Sequence, residues 1–295
     1  MKTERFETAP LGEPLDRLAP FSWHNAPHLC EPAHGCGDYH RAWSLVRWLD
    51  LSGQPPAGQP FFAHWLAKLN ASGRRRILVS GGADAGLTAL VLDIFRGFAQ
   101  VPDLCFVDQC ETPVRQNRLL AEHHGVLMSA HKGNILDYDA KPFDAILAHS
   151  FLYFFSEEDR AALMRQWFRL LAPGGALLVS NVVHPHPHAE RPARDPEQIA
   201  ARARLLARQL AKMGWSTAAC EEATGVLTRF WLTPVSKPPY PTQSGIEQLA
   251  KAAGFDVLSS VCQPVSAASG GPLSVQRRTD TTVRHRLELV ARRPG

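Results

Sequence analysis

The sequence predicts an α/β fold, a doubly wound and mainly parallel sheet with helices on both faces. Between residues 77 and 180, short apolar runs typical of buried strands alternate with segments of helical periodicity, and such alternation places successive strands in one parallel sheet. The first run, 77–79, ends at Gly81 and Gly82 immediately before a helical apolar stripe. A strand, a glycine turn and a helix in this order mark the ligand-binding edge of an open α/β sheet.

The apolar pattern defines the elements of this sheet in order. Predicted strands cover residues 77–79, 104–108, 126–129, 143–149 and 176–180, separated by helical stripes near 87–94, 113–123 and 157–171. After residue 241 comes a helix at 243–253, then strands at 255–261 and 286–291 joined through a Gly-, Ser- and Pro-rich loop. This spacing predicts that the last two strands form an antiparallel pair at the sheet edge.

Two regions stand outside the alternation. Residues 1–38 are rich in Pro, His and Gly and lack periodicity, so an extended arm is expected, followed by amphipathic helices near 42–49 and 61–69. Residues 1–72 are therefore assigned to an N-terminal arm and helical cap, and 73–295 to the sheet domain. Within that domain, 182–241 is an insertion with a helix near 196–213 and then irregular chain. Insertions at the ligand edge of a sheet commonly shape the substrate pocket.

Composition narrows the class of protein. The chain has 295 residues, 45% of them hydrophobic, which is ample for a globular core. Its formal net charge of +4 comes from Lys and Arg that are mostly interleaved with acids, so no nucleic-acid partner is expected. No apolar stretch reaches about 18 residues, and the N-terminus lacks a leader pattern. We therefore expect a cytoplasmic protein with no membrane partner, a monomer or a homodimer.

The glycine turn limits the ligand. A dinucleotide-binding turn carries glycine where pyrophosphate approaches the backbone most closely, and this chain has Ala83 there. Asp84 adds a negative charge that would repel a diphosphate but suits a ligand with an ammonium group. The turn therefore disfavours phosphate, although a nicotinamide-dependent oxidoreductase stays open as an alternative.

The order and spacing of five motifs resemble a known family. The motifs are ILVSGGADAG (77–86), FVD (106–108), GNIL (133–136), FDAILAHS (143–150) and LAPGGALLV (171–179). Together they resemble the class I S-adenosylmethionine-dependent methyltransferases, strongly over 75–182 and by layout over 243–292. The resemblance implies a Rossmann-like sheet of seven strands with the last strand antiparallel.

The same resemblance implies an activity and a set of site residues. The activity is methyl transfer from S-adenosyl-L-methionine, leaving S-adenosyl-L-homocysteine, to an O, N or S nucleophile of a small molecule, with natural-product or specialised metabolism as one setting. Cofactor contacts are implied for the turn under the methionyl part (Gly81, Gly82, Ala83, Asp84), for the ribose (Asp108, Gln109), for adenine (Asn134, Ile135) and beside the methyl group (His149, Phe151). The family usually has an acid where this chain has Val79, and further glycines where it has Ala83 and Ala85. A protein of this fold that binds the cofactor without catalysis is therefore a second alternative.

The sequence signals for the substrate-binding and catalytic residues are less specific than those for the cofactor. His149 is the favoured general base, although a structural histidine at the end of a strand is an open alternative. Asp84 could equally begin the following helix as an N-cap. The residues expected to touch the methyl acceptor are Tyr39, His40, Tyr153 and Asn181.

Two histidine-rich segments invite comparison with metal sites. The first holds His24, His28, Cys30, His34, Cys36 and His40, but the spacing matches no zinc motif, and its prolines oppose a shared helical face. The second, His184, His186 and His188, alternates with prolines, and a polyproline-like segment would not bring the three rings to one side. No metal is predicted at either segment.

Overall fold

The computed structural model describes residues 13–31, 35–48, 59–98, 101–185, 195–232, 240–264 and 285–295. The helices are α1 (Glu13–Leu29), α2 (Gly37–Trp48), α3 (Gln59–Ala71), α4 (Gly86–Arg96), α5 (Glu111–His124), α6 (Glu157–Leu170), α7 (Pro196–Lys212), α8 (Thr217–Leu232) and α9 (Gln243–Ala252). The strands are β1 (Arg76–Ser80), β2 (Asp103–Asp108), β3 (Met128–Lys132), β4 (Phe143–His149), β5 (Leu171–Val183), β6 (Asp256–Pro264) and β7 (His285–Arg292).

All seven strands form one sheet in the order β3-β2-β1-β4-β5-β7-β6. Strands β1 to β5 pair in parallel, and β7 lies between β5 and β6 and runs antiparallel to both. The predicted α/β class, the mainly parallel sheet and the antiparallel closing pair are confirmed. Strand β5 is longer than predicted, because Leu171 already pairs with Phe143 before a bulge leads to the regular register at Ala176.

Hydrophobic side chains cover both faces of the sheet. On one face Trp167 of α6 is fully buried, and its indole N–H donates a hydrogen bond to the Ser80 hydroxyl at 3.0 Å. On the other face Phe62 and Leu66 of α3 pack with residues of α4. Both layers hold β1 in the middle of the sheet, and the bond from Trp167 holds its carboxyl end.

The cap packs against the insertion as well as the sheet. Trp23 of α1 and Leu45 of α2 share one buried cluster with Leu206 of α7 and Val226 of α8. The Arg229 guanidinium also donates to both carboxylate oxygens of Asp38, at 2.6 and 3.1 Å. Two regions far apart in sequence thereby form one layer.

Two sequence expectations outside the sheet are wrong. The arm is not extended over its described part, because 13–29 form α1 although Pro20 and Pro27 lie inside the helix. The chain after α7 is not irregular, because 217–232 form α8. In α1, which buries Ala26, tertiary packing outweighs the local effect of its prolines. In α8 the buried residues Cys220, Ala223 and Leu227 fall at helical spacing, a local signal that sequence reasoning missed. Within the described residues no helix is long and apolar enough to span a bilayer.

Leu178 of β5 provides a test of this packing. Its side chain is fully buried, whereas Leu127, just before β3, is 92% exposed. Leu178→Ala should lower the free energy of unfolding by about 2–5 kcal/mol because it leaves a cavity in the core. The control Leu127→Ala should change it by less than about 0.5 kcal/mol. Urea denaturation of both variants measures the difference, and similar losses would contradict the assigned core.

Candidate functional site

The chain leaves β1 through a turn that only glycine fits at Gly81. This residue has φ +74°, in the left-handed region, and its N–H donates to the Val107 carbonyl at 2.9 Å. A Cβ at this position would lie 2.2 Å from Cε2 of Phe151. Sequence reasoning placed Phe151 beside the reacting group, and the structure places its ring directly against the turn.

Asp108 ends β2 next to this turn. Its Oδ2 accepts the Gly82 N–H at 3.1 Å and its Oδ1 accepts the Cys110 N–H at 2.8 Å. Burial raises the pKa of this carboxyl group to about 6, against the opposing effect of the two N–H donors. Because each carboxylate oxygen has a second lone pair, the group can accept two further hydrogen bonds from a ligand. The neighbouring Gln109 is exposed.

Asp84 acts at the start of α4. Its Oδ1 accepts the Gly86 N–H at 2.8 Å, and Gln116 Oε1 accepts the next N–H back, that of Ala85, at 3.2 Å. These side chains satisfy backbone donors that would otherwise lack partners at a helix start. The N-cap of α4 is Ala85, so Asp84 lies one residue before the cap position and binds the first helical N–H from there.

The turn after β3 reaches the same edge of the sheet. Gly133 N–H donates to the Asp108 carbonyl at 2.9 Å, which brings the next two residues close to β2. Asn134 Oδ1 accepts the Leu136 N–H at 3.1 Å, and Ile135 is 3% exposed. The expected contacts of these two residues with adenine stay a prediction.

The end of β4 contains a strained residue that sequence reasoning missed. Ser150 has φ +51°, uncommon for a residue with a Cβ, and its N–H donates to the Ser180 carbonyl at 2.7 Å. Such conformations cluster at functional sites. His149, one residue earlier, is half-buried with its ring centroid 6.5 Å from that of Phe62. No local pattern predicts a left-handed serine, because the neighbouring strand imposes it.

The residues expected to touch the methyl acceptor lie in different surroundings. Tyr39 is half-buried, with the rings of Trp43, Phe154 and Phe230 between 5.8 and 6.4 Å from its own. Asn181 is fully buried, accepts the Leu152 N–H at 3.2 Å and donates to its neighbour's carbonyl, so it positions the backbone after β4. The side chain of Tyr153 lies outside the described part of the chain.

His40 lies against the glycine turn. It is 4% exposed, and its Nδ1 lies 2.9 Å from the Ala83 carbonyl oxygen. The ring forms one group with Cys30, Cys36 and Cys110, whose sulfur and nitrogen atoms all lie within 4.8 Å of one another. Sequence reasoning considered Cys30, Cys36 and His40 but missed Cys110, which lies 74 positions after Cys36.

A cavity of about 470 Å³ opens at the same edge of the sheet, beyond the end of β5. Its lining includes Val183 and His184 after β5, Gln243 and Glu247 of α9, and His285 at the start of β7. The register pairs His149 with Ser180, three residues before Val183. The cavity therefore lies at the edge where β4 and β5 end, beyond β5 as seen from His149.

Gly81→Ala tests the close approach of Phe151. Gly125 also has a positive φ, +63°, but nothing lies within 4 Å of the Cβ it would gain. Gly125→Ala should therefore cost about 1 kcal/mol of backbone strain, and Gly81→Ala about 3 kcal/mol because the ring must also move. In a Phe151→Ala background the additional cost of Gly81→Ala should fall to that of the control. Equal costs in the native background, measured by urea denaturation, would contradict the contact.

Comparisons with known proteins agree with this geometry. Residues 82–179 match the family model described as a methyltransferase domain. A putative sarcosine dimethylglycine methyltransferase from Galdieria sulphuraria is 13% identical, with a TM-score of 0.52, covering 80% of this chain and 86% of that one. The cyclase SpnF is 16% identical, also at 0.52, covering 81% of each chain. The apo form of the S-adenosylmethionine-dependent methyltransferase SibL is 16% identical at 0.50, covering 86% of this chain and 59% of that one.

No curated protein sequence matches the chain. At these identities the solved structures establish the fold, and the family model adds the domain that runs from the glycine turn to β5. Residues 82–179 therefore form a methyltransferase domain, and the seven-strand Rossmann-like sheet that contains it is the fold of the class I S-adenosylmethionine-dependent methyltransferases.

Proposed function

We propose that this protein binds S-adenosylmethionine at the carboxyl ends of β1, β2 and β4 and transfers its methyl group to a small molecule. One observation carries the proposal. The Asp108 carboxylate is fixed beside the glycine turn by the N–H groups of Gly82 and Cys110, and it keeps lone pairs for two more hydrogen bonds. A ribose with two adjacent hydroxyl groups is a ligand that suits this acceptor.

The residues of the turn favour this cofactor over a dinucleotide. A pyrophosphate at the start of α4 would need backbone N–H donors, but the Gly86 N–H is bound to Asp84 and the Ala85 N–H to Gln116. The negative charge of Asp84 opposes a phosphate and favours the ammonium group of a methionyl chain. This contact weakens the case for a nicotinamide-dependent oxidoreductase.

The sulfonium supplies an activated methyl group, so the protein's part is to hold an O, N or S nucleophile in line and exclude water. Asn181 and Ser150 support this by fixing the chain after β4 to β5. Lys and Arg are mostly interleaved with acids along the chain, which disfavours a nucleic-acid acceptor. Small-molecule methylation is therefore the activity that we assign.

For an acceptor that must lose a proton, we assign the general base to His149. It follows the last buried residue of β4, directly before the strained Ser150. Its half-buried ring combines access to the site with partial shielding from water. An imidazole is suited to proton transfer near neutral pH.

A second function is favoured by one comparison. The cyclase SpnF has the same TM-score to this chain as the sarcosine dimethylglycine methyltransferase homologue above, so this fold also occurs in a cyclase. Ala83 and Ala85, where the methyltransferase family usually has glycine, fit a protein that keeps the cofactor without using its methyl group. Tight binding of S-adenosylmethionine without any release of S-adenosylhomocysteine across an acceptor panel would favour this alternative.

Asp108→Asn tests the cofactor site. Calorimetric titration should show that the wild-type protein binds S-adenosylmethionine and S-adenosylhomocysteine but not NAD or NADP. The variant should bind the two sulfur ligands about 10- to 100-fold more weakly, because a charged hydrogen-bond acceptor is lost.

Asp103→Asn is the matched control, since Asp103 lies at the opposite end of β2 and pairs with Arg76 on the surface. Its affinity for either sulfur ligand should stay within about twofold of wild type. Equal affinity of Asp108→Asn and Asp103→Asn for S-adenosylmethionine would contradict the ribose assignment.

His149→Ala tests the base. With small phenols, amines and thiols as acceptors, release of S-adenosylhomocysteine should fall about 100-fold or more for the acceptors that must be deprotonated. His131→Ala, at an exposed position of β3, should have little effect. Turnover of His149→Ala within about tenfold of wild type would place the base elsewhere.

A further inference from the structure

The side-chain cluster of Cys30, Cys36, His40 and Cys110 has the composition of a structural zinc site. It brings three thiols and one imidazole together, and their ligand atoms lie within 4.8 Å of one another. Three of the four side chains are buried and the fourth, Cys36, is half-buried. Three cysteines and one histidine are one of the ligand sets found in structural zinc sites.

Distances within the cluster suit a tetrahedral ion. Sγ of Cys110 lies 3.4 Å from Sγ of Cys30 and 3.6 Å from Sγ of Cys36. Sulfurs bound tetrahedrally to zinc at about 2.3 Å are about 3.8 Å apart, whereas a disulfide requires about 2.05 Å. The sulfurs therefore stand at the separation of ligands around one ion.

The surroundings orient the ligands. His40 Nδ1 faces the Ala83 carbonyl at 2.9 Å, which fixes the ring and leaves Nε2 as the nitrogen available to a metal. A metal-binding histidine commonly binds the metal through one ring nitrogen and donates the N–H of the other to a carbonyl or carboxylate oxygen. The Thr112 hydroxyl lies 3.2 Å from Sγ of Cys30, within reach to donate to a thiolate.

Two of the thiols lie at helix N-termini. Cys110 is the N-cap of α5, and Cys36 immediately precedes α2. The partial positive charge of a helix N-terminus stabilises negative charge. Zinc is bound by cysteine as the negatively charged thiolate, so both positions suit a metal ligand.

We propose that Cys30, Cys36, His40 and Cys110 bind one zinc ion that joins the N-terminal cap to the turn after β2. Because all four positions are supplied by protein side chains, the site is closed and structural. It connects the end of α1, the start of α2 and the residue two after Asp108. The ion would hold the cap against the end of β2, where Asp108 lies beside the glycine turn that carries Ala83.

Metal analysis tests the proposal without reference to methyl transfer. The protein, expressed with zinc and dialysed, should retain about one zinc ion per chain by mass spectrometry. Cys110→Ala should lose most of it, whereas Cys105→Ala, a buried thiol outside the cluster, should retain it. Replacement by Co²⁺ should give the thiolate charge-transfer and tetrahedral absorption bands in the wild type and in the control alone.

A measurement on the wild-type chain covers the case in which Cys110→Ala fails to fold. Zinc should slow alkylation of Cys30, Cys36 and Cys110 at least about tenfold relative to chelator-treated protein, and leave Cys262 unchanged. A wild-type protein that takes up neither zinc nor Co²⁺, or one with a disulfide between two of the three thiols, would overturn the proposal. Failure to bind S-adenosylmethionine would leave these readouts untouched and would count against the proposed function alone.

Discussion

The central position of β1 is the constraint on which the rest of the structure depends. The strand pairs in parallel with β2 on one side and β4 on the other, so the chain must leave all three strands at the same edge. Gly81 makes that exit possible, because its left-handed φ and missing side chain allow a turn against the Phe151 ring. The proposed cofactor site is a consequence of this geometry: the turn, Asp108 and His149 lie at one edge of the sheet because their strands are neighbours.

Burial and backbone hydrogen bonding act together at Asp108. Desolvation raises the pKa of its carboxyl group, while the N–H groups of Gly82 and Cys110 favour the charged form. Those donors also fix the orientation of the carboxylate before any ligand arrives. A preoriented acceptor loses less conformational entropy on binding, which is the physical basis of its role in the proposed cofactor site.

The cap lies directly against the glycine turn and the end of β2. His40 extends from α2 to the Ala83 carbonyl, and Cys110 follows Asp108 by two residues. The buried cluster shared by α1, α2, α7 and α8 joins the cap to the insertion on the other side. A metal at the thiol cluster would therefore stabilise the part of the cap that lies beside the glycine turn.

By itself the sequence determined the sheet, because short apolar runs and helical stripes are local patterns with periods of their own. The alternation from 77 to 180, the turn at Gly81 and the acid at Asp108 were all predictable in this way. Only the tertiary structure decided the helicity of 13–29, the left-handed Ser150 and the meeting of Cys110 with Cys30, Cys36 and His40. Each of these depends on contacts between residues far apart in the chain, which no local pattern encodes.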